Sequence, residues 1–180
     1  MTREQLEHAI RAACDVAEDT EVWVFGSQAI LGEHPDAPAS LCASVEVDVQ
    51  PRNRPEAVDA VDGALGELSP FHAAFGFYVH GVPIAAAALP PGWQARATPV
   101  VDEIGTRGKT GWCVEAHDLA ASKLAAHREK DREFVRALLV EGLVRGETLR
   151  GRVAGLDVDP GLREQCLRWL EVTLAELRPG

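Results

Sequence analysis

No apolar run approaches the roughly 20 residues a bilayer-spanning helix needs, so neither a transmembrane helix nor a membrane partner is expected. No Cys-x-x-Cys occurs. The four cysteines (Cys14, Cys42, Cys113, Cys166) are scattered, without histidine at zinc-finger spacing, which argues against a structural zinc and for reduced, buried thiols. There is no internal repeat and no low-complexity segment. The start, Met1-Thr-Arg-Glu-Gln-Leu-Glu-His8, is polar and amphipathic rather than a basic segment followed by an apolar one. No signal peptide is expected, and the location expected is cytoplasmic.

Basic side chains are scarce in the first part of the chain. Residues 1–100 hold 5 Lys/Arg against 14 Asp/Glu, whereas residues 101–180 hold 13 against 14, for a net charge of -10. The acidic half repels nucleic acid unless a metal intervenes, so sequence-specific DNA binding is excluded, and a phosphate-bearing partner is expected on the second half. Local contact with RNA is compatible with this distribution. With 180 residues, 46% hydrophobic and 26% charged, the chain suits one domain, or one domain with a helical appendage.

Two stretches organise the rest. Val22 to Phe25 is a β-branched and aromatic run ending at Gly26-Ser27, which reads as a buried strand entering a tight turn. Val45 to Val49 alternates Val, Glu, Val, Asp, Val, which places Glu46 and Asp48 on one strand face and the valines on the other. Two carboxylates on one face repel each other, and folding alone does not ask for that. A divalent cation would relieve the repulsion, since Mg²⁺ is bound through one or two carboxylates plus substrate phosphates. Gly26 permits close backbone approach and Ser27 adds a hydroxyl. The bland alternatives are the solvated face of an edge strand and an ordinary turn; the combination of the two motifs favours a metal–nucleotide site.

Around these, Thr2 and Gln5 form a capping box for a helix to about Glu18. Gln28 to Leu31 is expected to open a short helix, a position that favours phosphate. A strand over Val45–Gln50 is expected to stop at Pro51. Pro55 should then begin a helix to about Leu68, with Val58, Val61, Leu65 and Leu68 inward. Strands are expected at Phe75–Val82 and Ile84–Leu89, and a hairpin of Thr98–Ile104 with Gly111–Val114 about Thr106-Arg-Gly-Lys109. Trp93 and Trp112 read as packing anchors. From Ala116 the pattern is helical. Taken as one helix, 117–135 brings Lys123, His127, Lys130 and Asp131 within about a third of the circumference. That is either a solvated face or, given Ala120, Ala121, Ala125 and Ala126 around the lysine, a closely packed helix directing Lys123 into a cleft. A last helix should start at Asp159-Pro160, with Leu162, Cys166, Leu167, Leu170 and Leu174 inward.

Gly26-Ser27, Glu46-x-Asp48 and Asp118-Leu-x-x-Ser-Lys-Leu-x-Ala-x-Arg-Glu-Lys-Asp131 together resemble the AbiEii/AbiGii-type nucleotidyltransferases, within the DNA polymerase β-like superfamily. The resemblance implies an α/β (α+β) fold: a mixed sheet flanked by helices over residues 1–115, with a helical part over 116–180 packed on it as a single structural unit. It implies two Mg²⁺ ions and transfer of a nucleoside monophosphate from an NTP to an acceptor, tRNA or protein. It also implies a toxin role in a toxin–antitoxin or phage-defence module, with a cognate antitoxin as partner. By matching positions, Gly26 and Ser27 would hold the triphosphate, Glu46 and Asp48 the metal. Lys123, Arg128 and Lys130 would meet phosphate charge, and Asp131 would orient one of them or activate the acceptor. Two departures stand out. The first metal acid is Glu46 where the family usually has Asp, and the strand expected to carry a third acid offers Tyr78 and His80 instead, with Asp102 and Glu103 further on as substitutes. A catalytically degenerate member that binds nucleotide or a partner protein is the alternative.

Overall fold

The computed structural model describes residues 1–177; the last three positions of the helical part expected over 116–180 lie outside the described residues. The fold is mixed α/β, as expected, with five strands in one mixed sheet and eight α-helices among the described residues. Two compact units are present, Met1–Ala86 with Arg96–Glu115, and Ala87–Ala95 with the described part of Ala116–Gly180.

In the sheet unit, α1 (Arg3–Ala17) begins at the Thr2–Gln5 capping box and buries Leu6, Ala9, Ile10, Ala13, Cys14 and Ala17, a stripe at helical spacing. It leads into β1 (Glu21–Phe25), whose last four residues are buried, and then a 3₁₀ turn over Ser27–Ala29 and a single-turn helix α2 (Ile30–Glu33). β2 (Glu46–Pro51) pairs antiparallel with β1, Phe25 opposite Asp48 and Val22 opposite Pro51. The strand therefore runs through Pro51 rather than stopping before it; a proline is tolerated at this terminal position, where its missing N–H removes one ladder bond only. α3 (Val58–Leu65) buries Val58, Val61 and Leu65 as expected.

The helix does not reach Leu68. Gly66 leaves the helix in an extended conformation, and Leu68 stands at φ 65° and 89% exposed. Ser69 then caps a separate helix, α4 (Pro70–Phe75), so the residues read as the start of a strand at Phe75 finish a helix instead. β3 (Tyr78–Gly81) pairs parallel with β2, Glu46 opposite Tyr78 and Asp48 opposite His80. Gly81 lets the backbone of α3 approach, because a Cβ there would collide with the Val58 carbonyl. Ile84–Leu89 forms no strand. Ile84–Ala86 is a 3₁₀ turn, anchored by the Ile84 N–H donating to Gln50 Oε1 at 2.8 Å, with Pro83 unable to donate to a ladder. β4 (Thr98–Val100) and β5 (Thr110–Cys113) form the expected antiparallel hairpin, although β4 ends at Val100, since the Asp102 side chain accepts from Ile104 and Gly105 N–H and turns the chain into a loop. The sheet order is β3-β2-β1-β5-β4, with β5 parallel to β1. Trp112 faces Trp23 at 6.4 Å, the Arg52 guanidinium lies 4.8–4.9 Å from both rings, and the indole donates to Glu21: a packing anchor. Trp93 is half-buried at the start of a 3₁₀ turn.

The helical unit contains α5 (Ala116–Ala126), α6 (Glu129–Val140), α7 (Gly146–Ala154) and α8 (Pro160–Glu176). α8 begins as expected, Asp159 accepting from Gly161 and Leu162 N–H. The single helix expected over 117–135 is two: the chain breaks at His127, which adopts φ 57°, and restarts after Arg128. The four free cysteines are all buried, and no helix among the described residues is long and apolar enough to cross a membrane.

Candidate metal centre

The alternation along β2 buries Val47, Val49 and Pro51 and leaves Glu46, Asp48 and Gln50 half-exposed on the other face. Because β3 runs parallel in direct register, His80 arrives on the same face opposite Asp48. Its Nδ1 lies 3.0 Å from Asp48 Oδ1 and 3.1 Å from Glu46 Oε1, with side-chain exposures of 41% for His80, 39% for Glu46 and 26% for Asp48. The ligand atoms of these three residues lie within 4.8 Å of one another.

The Gly26 turn is fixed against this group. Gly26 has φ 70°, and a Cβ there would stand 3.0 Å from Asp48 Cγ and closer still to Oδ2. Only glycine satisfies both the left-handed backbone and the contact. Ser27 opens the 3₁₀ turn, and Gln28 behind it is fully buried with neither amide atom hydrogen-bonded. Tyr78, opposite Glu46 on β3, hydrogen-bonds that carboxylate; burial first, and then the Glu46 and Glu67 charges, raise its hydroxyl pKa and keep it a donor. Asp102, by contrast, is engaged by its own loop. The N–H groups of Gly105 and Ile104 hold its carboxyl below the usual range, and it is no member of the cluster.

The donor set fits a divalent cation. It offers two carboxylates and an imidazole nitrogen, with Nδ1 3.0 and 3.1 Å from an oxygen of each acid and all three ligand atoms within 4.8 Å of one another, accessible to solvent and with one carboxylate oriented by a hydrogen bond.

Lys123, Arg128, Lys130 and Asp131 lie in the helical unit. The Asp131 carboxylate, 2% exposed, is 3.4 Å from Lys123 Nζ and accepts from Arg128 Nε. Lys123 also lies 5.7 Å from the centre of the Phe134 ring. The break at His127 brings these groups together across two helices rather than along one face. Lys130 is exposed and is not among the groups that hold Asp131. A second buried acid, Asp118, has Arg152 Nε at 2.9 Å, an ion pair whose N–H is not aligned for a hydrogen bond.

His80 stands where an acid is expected, and its place in the group comes from the parallel register of β2 and β3, which the sequence does not state.

A mixed sheet carrying a Gly-Ser turn beside an acid pair defines a nucleotidyltransferase-like α/β protein. The chain belongs to the family described as "Nucleotidyltransferase of unknown function (DUF6036)", which matches residues 4–164. No curated protein and no solved structure matches the chain.

Proposed function

We propose that the chain is a metal-dependent nucleotidyltransferase of the AbiEii/AbiGii type that moves a nucleoside monophosphate from an NTP to a tRNA or protein acceptor, in the cytoplasm, as the toxin of a toxin–antitoxin or phage-defence module. The observation that carries this reading is the Glu46–Asp48–His80 group beside the Gly26 turn, in a chain of a nucleotidyltransferase family. In such a transfer the acceptor hydroxyl oxygen bonds to the α-phosphorus, the bond to the bridging β-phosphate oxygen breaks, pyrophosphate leaves, and the hydroxyl proton passes to water. Mg²⁺, one ion or two, supplies charge neutralisation and alignment of the phosphate oxygens when bound.

Glu46 and Asp48 hold the metal, and Gly26 and Ser27 bring backbone and hydroxyl to the triphosphate. In the helical unit, Lys123, Arg128 and Lys130 are assigned to phosphate charge, with Asp131 orienting the first two. The fixed ion pair of Lys123 with Asp131 also supports a second reading, a catalytically degenerate protein that binds nucleotide or a partner protein. Calorimetric titration of NTPs with and without Mg²⁺, on the wild type and on Asp48→Ala, separates the two. Micromolar binding that requires both Mg²⁺ and Asp48 supports the enzyme. Binding indifferent to metal selects the degenerate reading, and no binding of any NTP overturns both as nucleotide proteins.

A further inference from the structure

We propose that His80 is a metal ligand through Nδ1, and that this makes the centre selective for a first-row transition-metal ion over Mg²⁺. This rests on the metal-dependent reading above and replaces the Mg²⁺ of that reading, which comes from the resemblance, with an ion that accepts nitrogen.

Three features converge. Direct parallel register puts His80 and Asp48 side by side on one face, and the two-residue repeat of β2 puts Glu46 beside them. Nδ1 is nearly equidistant from a carboxylate oxygen of each acid, 3.0 and 3.1 Å, within hydrogen-bond distance of Asp48 Oδ1 and turned toward both acids at once. The acids are placed differently: Oδ2 of Asp48 lies against the Gly26 backbone, leaving Oδ1 toward the ring, and Glu46 accepts a hydrogen bond from the Tyr78 hydroxyl. Hydrogen-bonded ligating carboxylates are the supporting arrangement found around protein-bound metals.

The identity of the third donor then sets the preference. Mg²⁺ is a hard ion served by oxygen and seldom by nitrogen, whereas imidazole suits Fe, Ni, Cu and Zn, with affinity rising from Mn²⁺ toward Cu²⁺; Mn²⁺, the weakest of the series, is the stringent and paramagnetic probe of that preference. Three acids would make an oxygen-only set for Mg²⁺; two acids and an imidazole do not. The competing account is that Nδ1–H donates a hydrogen bond shared by the two carboxylates and never binds metal.

The test uses the full chain without nucleotide. Mn²⁺ and Mg²⁺ are titrated by calorimetry into the wild type, His80→Asp and His80→Gln, and the Mn²⁺ complexes are measured by pulsed electron paramagnetic resonance, with folding checked by circular dichroism. The wild type should bind Mn²⁺ tighter than Mg²⁺ and show coupling to a ring nitrogen. His80→Asp should lose that coupling and bring the two affinities together, while His80→Gln should lose it and weaken Mn²⁺ binding. Equal affinities in all three proteins, or no nitrogen coupling in the wild type, overturn the proposal. If nitrogen-ligated Mn²⁺ binds but no NTP does, the ligand assignment stands and the transferase reading fails. If NTP binding requires Mg²⁺ and Asp48 yet ignores His80, the reverse holds.

Discussion

In the helical unit, Asp118 and Asp131 are 0% and 2% exposed and each faces a basic side chain, Arg152 for the first, Lys123 and Arg128 for the second. In the sheet unit, Glu46 and Asp48 are partly exposed, share a face, and have an imidazole between them. A carboxylate taken out of water must be compensated within the chain, because desolvation costs several kcal/mol per ion. One left at the surface keeps its hydration, and a second beside it creates a demand for a cation that the fold itself leaves open. Burial and partner thus separate acids that hold structure from acids that are available for chemistry, although the residue types are the same.

Breaking a closed pair should have the largest effect on stability. Asp131→Ala leaves the Lys123 ammonium without the carboxylate 3.4 Å away and should cost about 3–5 kcal/mol in urea denaturation. Gly26→Ala comes next: the left-handed backbone and the collision with Asp48 together should cost about 2–3 kcal/mol and also weaken metal binding.

Asp19 sharpens the comparison, because it is a structural acid within the sheet unit. It is 4% exposed, and burial alone would raise its pKa, but hydrogen bonds from the side chain and N–H of Asn53 and from the N–H groups of Glu21 and Thr20 outweigh that and lower it. Its contribution is therefore present above the ordinary carboxylate value of about 3.9 and lost as the pH falls through the folded value. Asp19→Asn should cost about 1–2 kcal/mol at pH 7 and flatten the acid limb of a stability–pH curve below about pH 4. The smallest effect is expected at the open centre. Asp48→Ala should move the urea midpoint by the equivalent of less than about 1 kcal/mol, since it removes one like-charge neighbour along with a half-exposed His80 contact. A loss at Asp48 as large as that at Asp131 would erase the distinction.

Much of this was legible locally. Alternation in Glu46 to Val49 gave the face of β2, although Val45, expected on the buried face, precedes the strand and is 47% exposed; the Thr2–Gln5 box gave the start of α1, and Gly26 marked the turn. The misses have separate causes. His127 breaks a helix without glycine or proline to announce it, and Leu68 ends exposed because Gly66 and the Ser69-Pro70 start of α4 outweigh an apolar spacing that suggested one longer helix. His80 acquires its meaning from a strand pairing 32 residues distant in sequence, which no local pattern encodes.

The buried cysteines have a practical consequence. Burial pushes the Cys14 and Cys113 thiols up to about 12 and raises Cys42 and Cys166, so all four stay protonated and slow to react while the chain is folded. Three of them belong to the sheet unit and Cys166 to the helical one. They are built-in reporters: the rate at which a thiol reagent modifies each position reads the opening of its own unit, with no label to be introduced.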